Sequence, residues 1–506
     1  MDKYILALDL GTTAIKVAVV DMAGRLAATS TREYKLLTPD TLSVELGVET
    51  YWEAFKAGVR EALSESGVPG SSLACLGISA QGETLILIDE SGNPLRNAIV
   101  WMDNRAQKEA AELSEQFPQE LTYKITGQVS IVPTWPASKL LWIKKHEPEV
   151  FRKIHKVLLI EDYFIYRLTG KFACQGSLIC STVYWDINTK KWWPGMLKYL
   201  GISEAQLPEI YEPGEVVGPV KNDIAGELGV SEGMTVCTGA LDQAAGTIGV
   251  GNIAPGLFSE NTGAALAICA TVNGSFMDPA FQMPCHYHGI KDLYMAHTFT
   301  TGGMALKWFR DAFCDLEVAL GAKTGLDDYY LMDEEAKRIP PGSDGLVMLP
   351  HLQGAMAPEA NPKAKGVYFG ITLKHTRAHF IRAVMEGVGF IVMRNIEAIE
   401  SMKIPVREIR VLGGGSRSAV WNQIKADITG RVIWTTGTPD AACLGAAIIS
   451  GVSCGLFPTV KEAVEKMVTL KRKFEPDLEN HRRYRKLFEE YKQLYAALCP
   501  LFESSD

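Results

Sequence analysis

The stretch Tyr4-Ile5-Leu6-Ala7-Leu8-Asp9-Leu10-Gly11-Thr12-Thr13 constrains this chain more than any other. Its first residues are apolar and β-prone, and they give way to an acid, a glycine and two hydroxyls. Val17-Ala18-Val19-Val20-Asp21 then reads as a returning strand, so the segment is predicted to be a β-hairpin. Gly11 lets backbone N–H groups approach an anion closely, and Thr12 and Thr13 add short donors beside them. Asp9, at the end of the same strand, can hold a hydrated Mg²⁺ against that anion. An acid and two hydroxyls that only cap a tight turn would leave the same pattern.

A chain of 506 residues is too long for one core, so two large domains are expected, with Pro255-Gly256 as the boundary signal. A net charge of -8 with no dense Lys/Arg stripe speaks against a nucleic-acid partner. Met1-Asp2-Lys3 runs straight into a strand without the shape of a signal peptide. No apolar run reaches the roughly 20 residues of a spanning helix, so no membrane partner is expected. The ten cysteines are scattered without a C-x-x-C pair, and Cys75, Cys237 and Cys269 lie in apolar, strand-like runs. Buried reduced thiols and a cytoplasmic location are the expectation.

Along the first half, Thr50 and Glu53 form a capping box, and Trp52, Phe55, Val59 and Leu63 follow at helical spacing to Gly67. Two strand-like runs, Leu73 to Ala80 and Thr84 to Asp89, are separated by Gln81-Gly82-Glu83, a polar interruption of the kind that places a pocket residue. Asn97 to Trp101 reads as another strand, running into Met102-Asp103-Asn104-Arg105. A tryptophan beside an acid and an arginine suits a sugar, and equally a half-buried core indole with a surface ion pair. Residues 106 to 230 read as helices and loops rich in Trp and Pro, with Pro133-Thr134-Trp135-Pro136 a rigid loop. Thr238-Gly239-Ala240-Leu241-Asp242 then leads into a helix of very small residues. Asp242 at that N-terminus is expected to be held as a carboxylate by the helix dipole, or to serve only as a cap.

The second half restarts the pattern. Asn261-Thr262-Gly263 echoes the hydroxyl-glycine turn at Gly11, and Thr300-Thr301-Gly302-Gly303 opens a helix carrying Lys307. His375 and His379 stand at metal-ligand spacing but lack the glutamate of a zinc-protease motif and a third ligand, so zinc is not expected there. Ile409 to Leu412 delivers Gly413-Gly414-Gly415-Ser416, where three glycines let a flat ring or a phosphate touch backbone. The turn lacks the full dinucleotide fingerprint, and no Walker-type P-loop occurs in the chain. Ala442 to Ala447 forms a second small-residue helix, a candidate partner for the helix after Asp242. Tyr484, Leu487, Tyr491, Leu494 and Leu498 mark a terminal amphipathic helix.

With these motifs in this order, the chain resembles an FGGY-type carbohydrate kinase of the actin, Hsp70 and sugar-kinase superfamily over nearly its whole length. The resemblance rests on the Asp9–Thr13, Trp101–Arg105, Gly239–Gln243 and Gly413–Ser416 motifs, with a run from Gly366 through His379 similar to the family's C-terminal signature. It implies an α/β fold of two RNase-H-like domains around a central cleft for ATP and Mg²⁺. Residues 1–252 would carry the sugar pocket, the first phosphate clip and the catalytic acid. Residues 253–506 would bind the nucleotide and end in the C-terminal helix. A homodimer is the assembly to test.

Position by position, the resemblance makes Asp242 the catalytic base and, with Asp9, a metal-side carboxylate. Gly11, Thr12, Thr13, Thr262 and Gly263 match phosphate clips, and Gly303, Lys307, Gly414 and Gly415 match nucleotide contacts. Gln81, Glu83, Trp101 and Asp103 fall at sugar positions. Within the family, Lys139 to Trp142, His146 to Glu149 and Glu161 to Tyr163 are most similar to xylulokinases. Those enzymes carry Gln-Met-His-Gly where this chain has Gln81-Gly82-Glu83-Thr84, and glycerol kinases carry Arg-Glu. The expected reaction is ATP-dependent phosphorylation of a terminal hydroxyl, D-xylulose first, with glycerol, L-xylulose, L-ribulose and gluconate as alternatives. Two carboxylates, Glu83 and Asp103, are expected to disfavour the sugar acid. A sugar sensor without activity and a chaperone-like or actin-like ATPase are the rival classes.

Overall fold

The computed structural model describes residues 3–504. Its first sheet is built from Tyr4–Leu10 (β1), Ala14–Asp21 (β2), Leu26–Glu33 (β3), Leu73–Ala80 (β4), Val216–Pro219 (β5), Thr235–Cys237 (β6) and Ala240–Leu241 (β7). The order is β5-β6-β4-β1-β2-β3, with β7 also on β4. β1 and β2 form the expected antiparallel hairpin, pairing Leu10 with Ile15, and β1 runs parallel to β4. Helix Val48–Ser66 (α1) buries Trp52, Phe55 and Val59 and ends on Gly67 in the left-handed conformation. It starts earlier than the Thr50–Glu53 box implied. Gly47 is the cap, because the chain already turns after the short strand Glu45–Leu46, and Thr50 lies inside the first turn.

The Trp-rich insert includes helices Pro136–His146 (α2) and Ile160–Thr169 (α3), and Pro136 opens α2, where its missing N–H is harmless. Helix Asp242–Gly249 (α4) follows β7. The second sheet then repeats the first. It comprises Leu257–Thr262 (β8), Ala265–Val272 (β9), Cys285–Tyr287 (β10), Tyr294–Thr301 (β11), Glu408–Leu412 (β12), Val432–Thr436 (β13) and Leu470–Phe474 (β14), in the order β10-β11-β9-β8-β12-β13-β14. In each sheet three antiparallel strands are followed by two parallel ones: β3-β2-β1-β4-β6 in the first and β11-β9-β8-β12-β13 in the second.

Helices Gly303–Phe313 (α5), Arg377–Ser401 (α6), Ala419–Thr429 (α7) and the terminal Leu478–Ser504 (α10) enclose the second sheet, with Tyr484, Phe488 and Tyr491 buried. Between α7 and α10, two helices cross back: Ala441–Ser453 (α8) and Val460–Met467 (α9). Leu444, Ala447, Ile448, Ala463 and Met467 join the core of the first sheet rather than the second. Helix α8 lies against β4 so tightly that a Cβ on Gly77 would stand 2.3 Å from the Ala446 carbonyl oxygen. The small-residue helices α4 and α8 meet as their composition suggested. A Cβ on Gly445 would fall 1.8 Å from the Ala245 oxygen, and one on Gly249 1.9 Å from that of Ala441. Among the described residues no helix is long and apolar enough to cross a membrane.

Candidate active site

The internal repeat puts loops of the same rank on facing walls. The turns at Gly11 and Gly263 each join the first two strands of their sheet, with N–H donors to the Ala14 and Ala265 oxygens at 3.1 and 2.9 Å. Gln81-Gly82-Glu83 and Gly413-Gly414-Gly415 each follow the first parallel strand. The sequences Thr238-Gly239-Ala240-Leu241-Asp242 and Thr436-Gly437-Thr438-Pro439-Asp440 share a Thr-Gly-x-x-Asp pattern and open α4 and α8. A cavity of about 630 Å³ is lined by Asp9, Lys16, Asp242, Gly413, Gly414 and Asp440, among others, while the turns at Gly11 and Gly263 and the Gln81–Glu83 loop do not line it. A larger hollow of about 1030 Å³ near Lys156 and Phe172 collects none of the expected site residues.

Asp242 is the first residue of α4, and its carboxylate accepts from the Gln243 N–H at 2.7 Å. The loop before it is pinned from behind. Buried Glu161 accepts from the Gly239 N–H at 2.7 Å, and Ser177 accepts from the Leu241 N–H at 3.0 Å. Gly239 is required there, since a Cβ would meet the Ile78 oxygen at 1.8 Å. The start of α4 favours the carboxylate of Asp242, as expected, and burial opposes it. Burial is the larger effect and pushes its pKa up to about 6, with the Gln243 bond only partly offsetting it.

Asp9 accepts a hydrogen bond from Ser79 at 2.8 Å. Burial first, and the charges of Asp440 and Asp242 next, raise its pKa to about 7. A carboxylate in that position calls for a counter-cation. Lys16 is directed instead to Asp440, at 2.7 Å, while the other oxygen of Asp440 caps α8 through the Cys443 N–H at 3.1 Å. Hard oxygen donors with unbalanced negative charge fit Mg²⁺. Among the described residues no group of three or more His, Cys, Asp or Glu side chains is disposed to hold a metal by itself. Mg²⁺ takes one or two carboxylates and completes its shell with water and substrate phosphates.

The remaining expected residues divide. Gly414 faces open space, and a Cβ there would meet nothing within 4 Å, whereas one on Gly415 would lie 2.6 Å from Thr262. Thr262 turns its hydroxyl inward to Glu260, and Lys425 locks that carboxylate at 2.6 Å, so the hydroxyl is not the free donor expected of a phosphate clip. The Gly303 N–H bonds to the Gly263 oxygen at 2.9 Å, docking α5 on the second turn. Lys307 is not brought into the cavity. It pairs with Asp311 on the exposed face of α5, beside Met304 and Trp308.

Around the first turn, the Trp101 indole donates to Thr12 at 2.8 Å, and Thr13 is exposed. Gln81 is buried and directs its amide N–H to the Gly11 oxygen at 3.2 Å, buttressing the turn, while its own oxygen has no partner. Glu83 holds a left-handed backbone, φ 56°. Buried Lys139 on α2 donates to the carbonyls of Glu83, Val100 and Trp101 at 3.1, 3.0 and 3.2 Å. Both oxygens of fully buried Asp103 are occupied by Arg105, at 2.9 and 2.8 Å, so it does not offer a free carboxylate, and its ion pair is interior rather than on the surface.

Sequence reasoning missed Lys16, Lys139 and Asp440. The Thr-Gly-x-x-Asp repeat was the readable signal for Asp440. Lys139 stood out only as part of a family-like segment and not as a site residue, because its partners come from two distant loops. The histidines at 375 and 379 serve as local caps: His379 pairs with Thr376 at the start of α6, and His375 accepts from the Thr372 N–H at 2.9 Å.

Residues 4–249 match the model of the FGGY family of carbohydrate kinases, N-terminal domain, and residues 275–454 match that of its C-terminal domain. The chain is 30% identical to the xylulose kinase of Escherichia coli (strain K12) over 98% of this chain and 99% of that one. It is 29% identical to the gluconokinase of Bacillus subtilis (strain 168) over 96% and 94%. Among solved structures, the gluconate kinase from Lactobacillus acidophilus superposes with a TM-score of 0.90 at 28% identity, covering 98% of both chains.

Proposed function

We propose, from the premise that this chain belongs to the FGGY family of carbohydrate kinases, that it phosphorylates the terminal hydroxyl of a small open-chain ketose or polyol, D-xylulose first. As an ATP-dependent sugar kinase it has little covalent chemistry to perform. Positioning and charge neutralisation carry phosphoryl transfer.

Asp242 accepts the proton of the attacking hydroxyl. Its rigid approach loop, fixed by Glu161 and Ser177, and its raised basicity both suit that role. Mg²⁺, when bound, would neutralise phosphate charge, and Asp9 is the carboxylate to hold it. Gly413 and Gly414 leave backbone exposed for the nucleotide, and the Thr12–Trp101 bond ties the phosphate side to the sugar side. Packing of α4 on α8 keeps Asp242 and Asp440 on opposed helix ends while the two sheets close and exclude water.

The observation that carries the neutral-sugar reading is an account of donors. A sugar acid needs a free cation, and all three N–H donors of Lys139 go to carbonyls, while Arg105 is engaged by Asp103 and Glu45. This replaces the simpler argument from two repelling carboxylates, since Asp103 is already neutralised. Glu83 and the Trp101 face then supply an acceptor and an apolar wall for a polyhydroxy chain. The test compares kcat/KM for D-xylulose, L-xylulose, L-ribulose, glycerol and gluconate by ADP release. D-xylulose or a related ketose should lead, and a lead for gluconate overturns the reading.

A further inference from the structure

Three thiols converge at the end of α8 remote from the cleft. Cys75 lies on β4, Cys237 ends β6, and Cys454 follows the last residue of α8, its N–H bonded to the Ser450 oxygen at 2.9 Å. β4 and β6 are adjacent parallel strands, with Cys75 opposite Thr235. The Cys237 and Cys454 sulfurs stand 3.6 Å apart, and all three thiols are free. Cys75 and Cys237 are buried, whereas Cys454 is half-buried and lines a separate cavity of about 660 Å³ with Lys3, Thr235 and Ser453. Among the described residues the cluster is not disposed to hold a metal.

We propose that Cys454 and Cys237 are a peroxide-responsive dithiol whose oxidation fastens α8 to the first sheet and slows turnover. The cluster is polarised for this. Either sulfur of the Cys237–Cys454 pair can donate to the other, and Cys454 is the one with solvent access. With Cys237 and Cys75 as its hydrogen-bonding neighbours its pKa is held below the usual thiol range, while the same bonds and burial hold theirs above it. Cys454 is therefore the first to ionise and the one a small oxidant can reach. Its thiolate attacks one oxygen of hydrogen peroxide, the O–O bond breaks, and hydroxide leaves a sulfenic acid behind. The Cys237 sulfur then attacks the Cys454 sulfur, the S–O bond breaks, and the departing hydroxide takes the Cys237 proton as water. The first hydroxide takes the proton that Cys454 gave up. Two thiols thus lose two electrons, and one peroxide becomes two waters. A sulfur separation of 3.6 Å between neighbouring elements needs only side-chain rotation and a small approach to close. The link acts on catalysis through α8, which packs along α4 behind Asp242 and carries Asp440 at its other end.

The test treats the full-length protein with graded hydrogen peroxide, alkylates the remaining thiols and maps disulfides by peptide mass spectrometry. A peptide pair joining Cys237 to Cys454, a several-fold fall in kcat and recovery with a thiol reductant are expected. In Cys237→Ser the link is lost, Cys454 is trapped as sulfenic acid by dimedone, and kcat no longer falls. Cys237→Ala serves as the second variant, with thermal unfolding confirming that each is folded. Absence of the 237–454 link in the wild type, a link that leaves kcat unchanged, or an equal fall of kcat in folded Cys237→Ser would each overturn the proposal.

Discussion

The indole N–H of Trp101 donates to the hydroxyl oxygen of Thr12 at 2.8 Å. One residue belongs to the proposed sugar wall and the other to the turn beside the proposed phosphate site, so the two substrates meet a single bonded unit. Trp101→Phe keeps an aromatic face and removes the donor. A neutral hydrogen bond of about 1 kcal/mol is a factor of about five in binding. KM should rise by about that factor for both sugar and ATP in steady-state kinetics. A rise confined to the sugar would show that the bond does not couple the two sides.

Asp242→Asn should abolish phosphorylation while leaving nucleotide binding near its wild-type level. Loss of a general base is expected to lower kcat by about 10²-fold or more. ADP release measures the turnover, and calorimetry with ATP measures the binding. Residual turnover within tenfold of the wild type would remove Asp242 from that role.

The pH dependence follows from two carboxylates whose pKa values are raised, so each is protonated as pH falls through its own value. Asp242, near 6, gives kcat an acid limb, with turnover falling below about pH 6. Asp9, near 7, must lose its proton before it holds a cation, so half-saturation by Mg²⁺ should shift to higher concentration as pH drops through 7. Asp440→Asn removes a charge that raises Asp9 and frees Lys16 beside it, and asparagine still caps α8. Both effects should move the Mg²⁺ transition to lower pH. A transition that stays in place, or moves upward, contradicts this account.

Two glycines should respond in opposite ways. Gly445→Ala places a methyl 1.8 Å from the Ala245 oxygen, within a helix pair that cannot separate without disturbing both cores. Overpacking on backbone should destabilise by about 3 kcal/mol, read as a lower midpoint in denaturant unfolding. Gly414→Ala meets nothing within 4 Å and should leave that midpoint unchanged while raising the KM for ATP. The reverse pattern would mean the nucleotide does not lie on Gly414.

The hairpin, the glycine turns and the place of Asp242 at a helix start were legible because each is local, an apolar run, a required backbone freedom or an acid before small residues within one short segment. The pairing of α4 with α8 was also readable, since only small residues let helices approach so closely. What escaped depends on long-range geometry. Lys139 is defined by carbonyls of residues 83, 100 and 101, and the partner of Asp103 stood two residues away in sequence while the burial that makes the pair interior comes from distant segments. Lys307 lay in a motif of the right spacing, yet α5 turns it outward to Asp311. The capping box at Thr50 was a sound local signal, pre-empted by a chain reversal at Gly47.

The return of α8 and α9 into the first core has a consequence for synthesis. Ile5 and Gly77 are made early, but α8, which covers their face of the sheet, arrives only with residues 441 to 453, while α1 already packs on Val17 at the other face. A nascent chain halted near residue 252 would present an uncovered apolar sheet face, with Gly77 and Ile5 lacking the α8 backbone and Gly451 that seat there. The amino-terminal half of the molecule is therefore unable to reach its final packing while the ribosome is still translating the second sheet, and for that interval the apolar face is open to association with other chains.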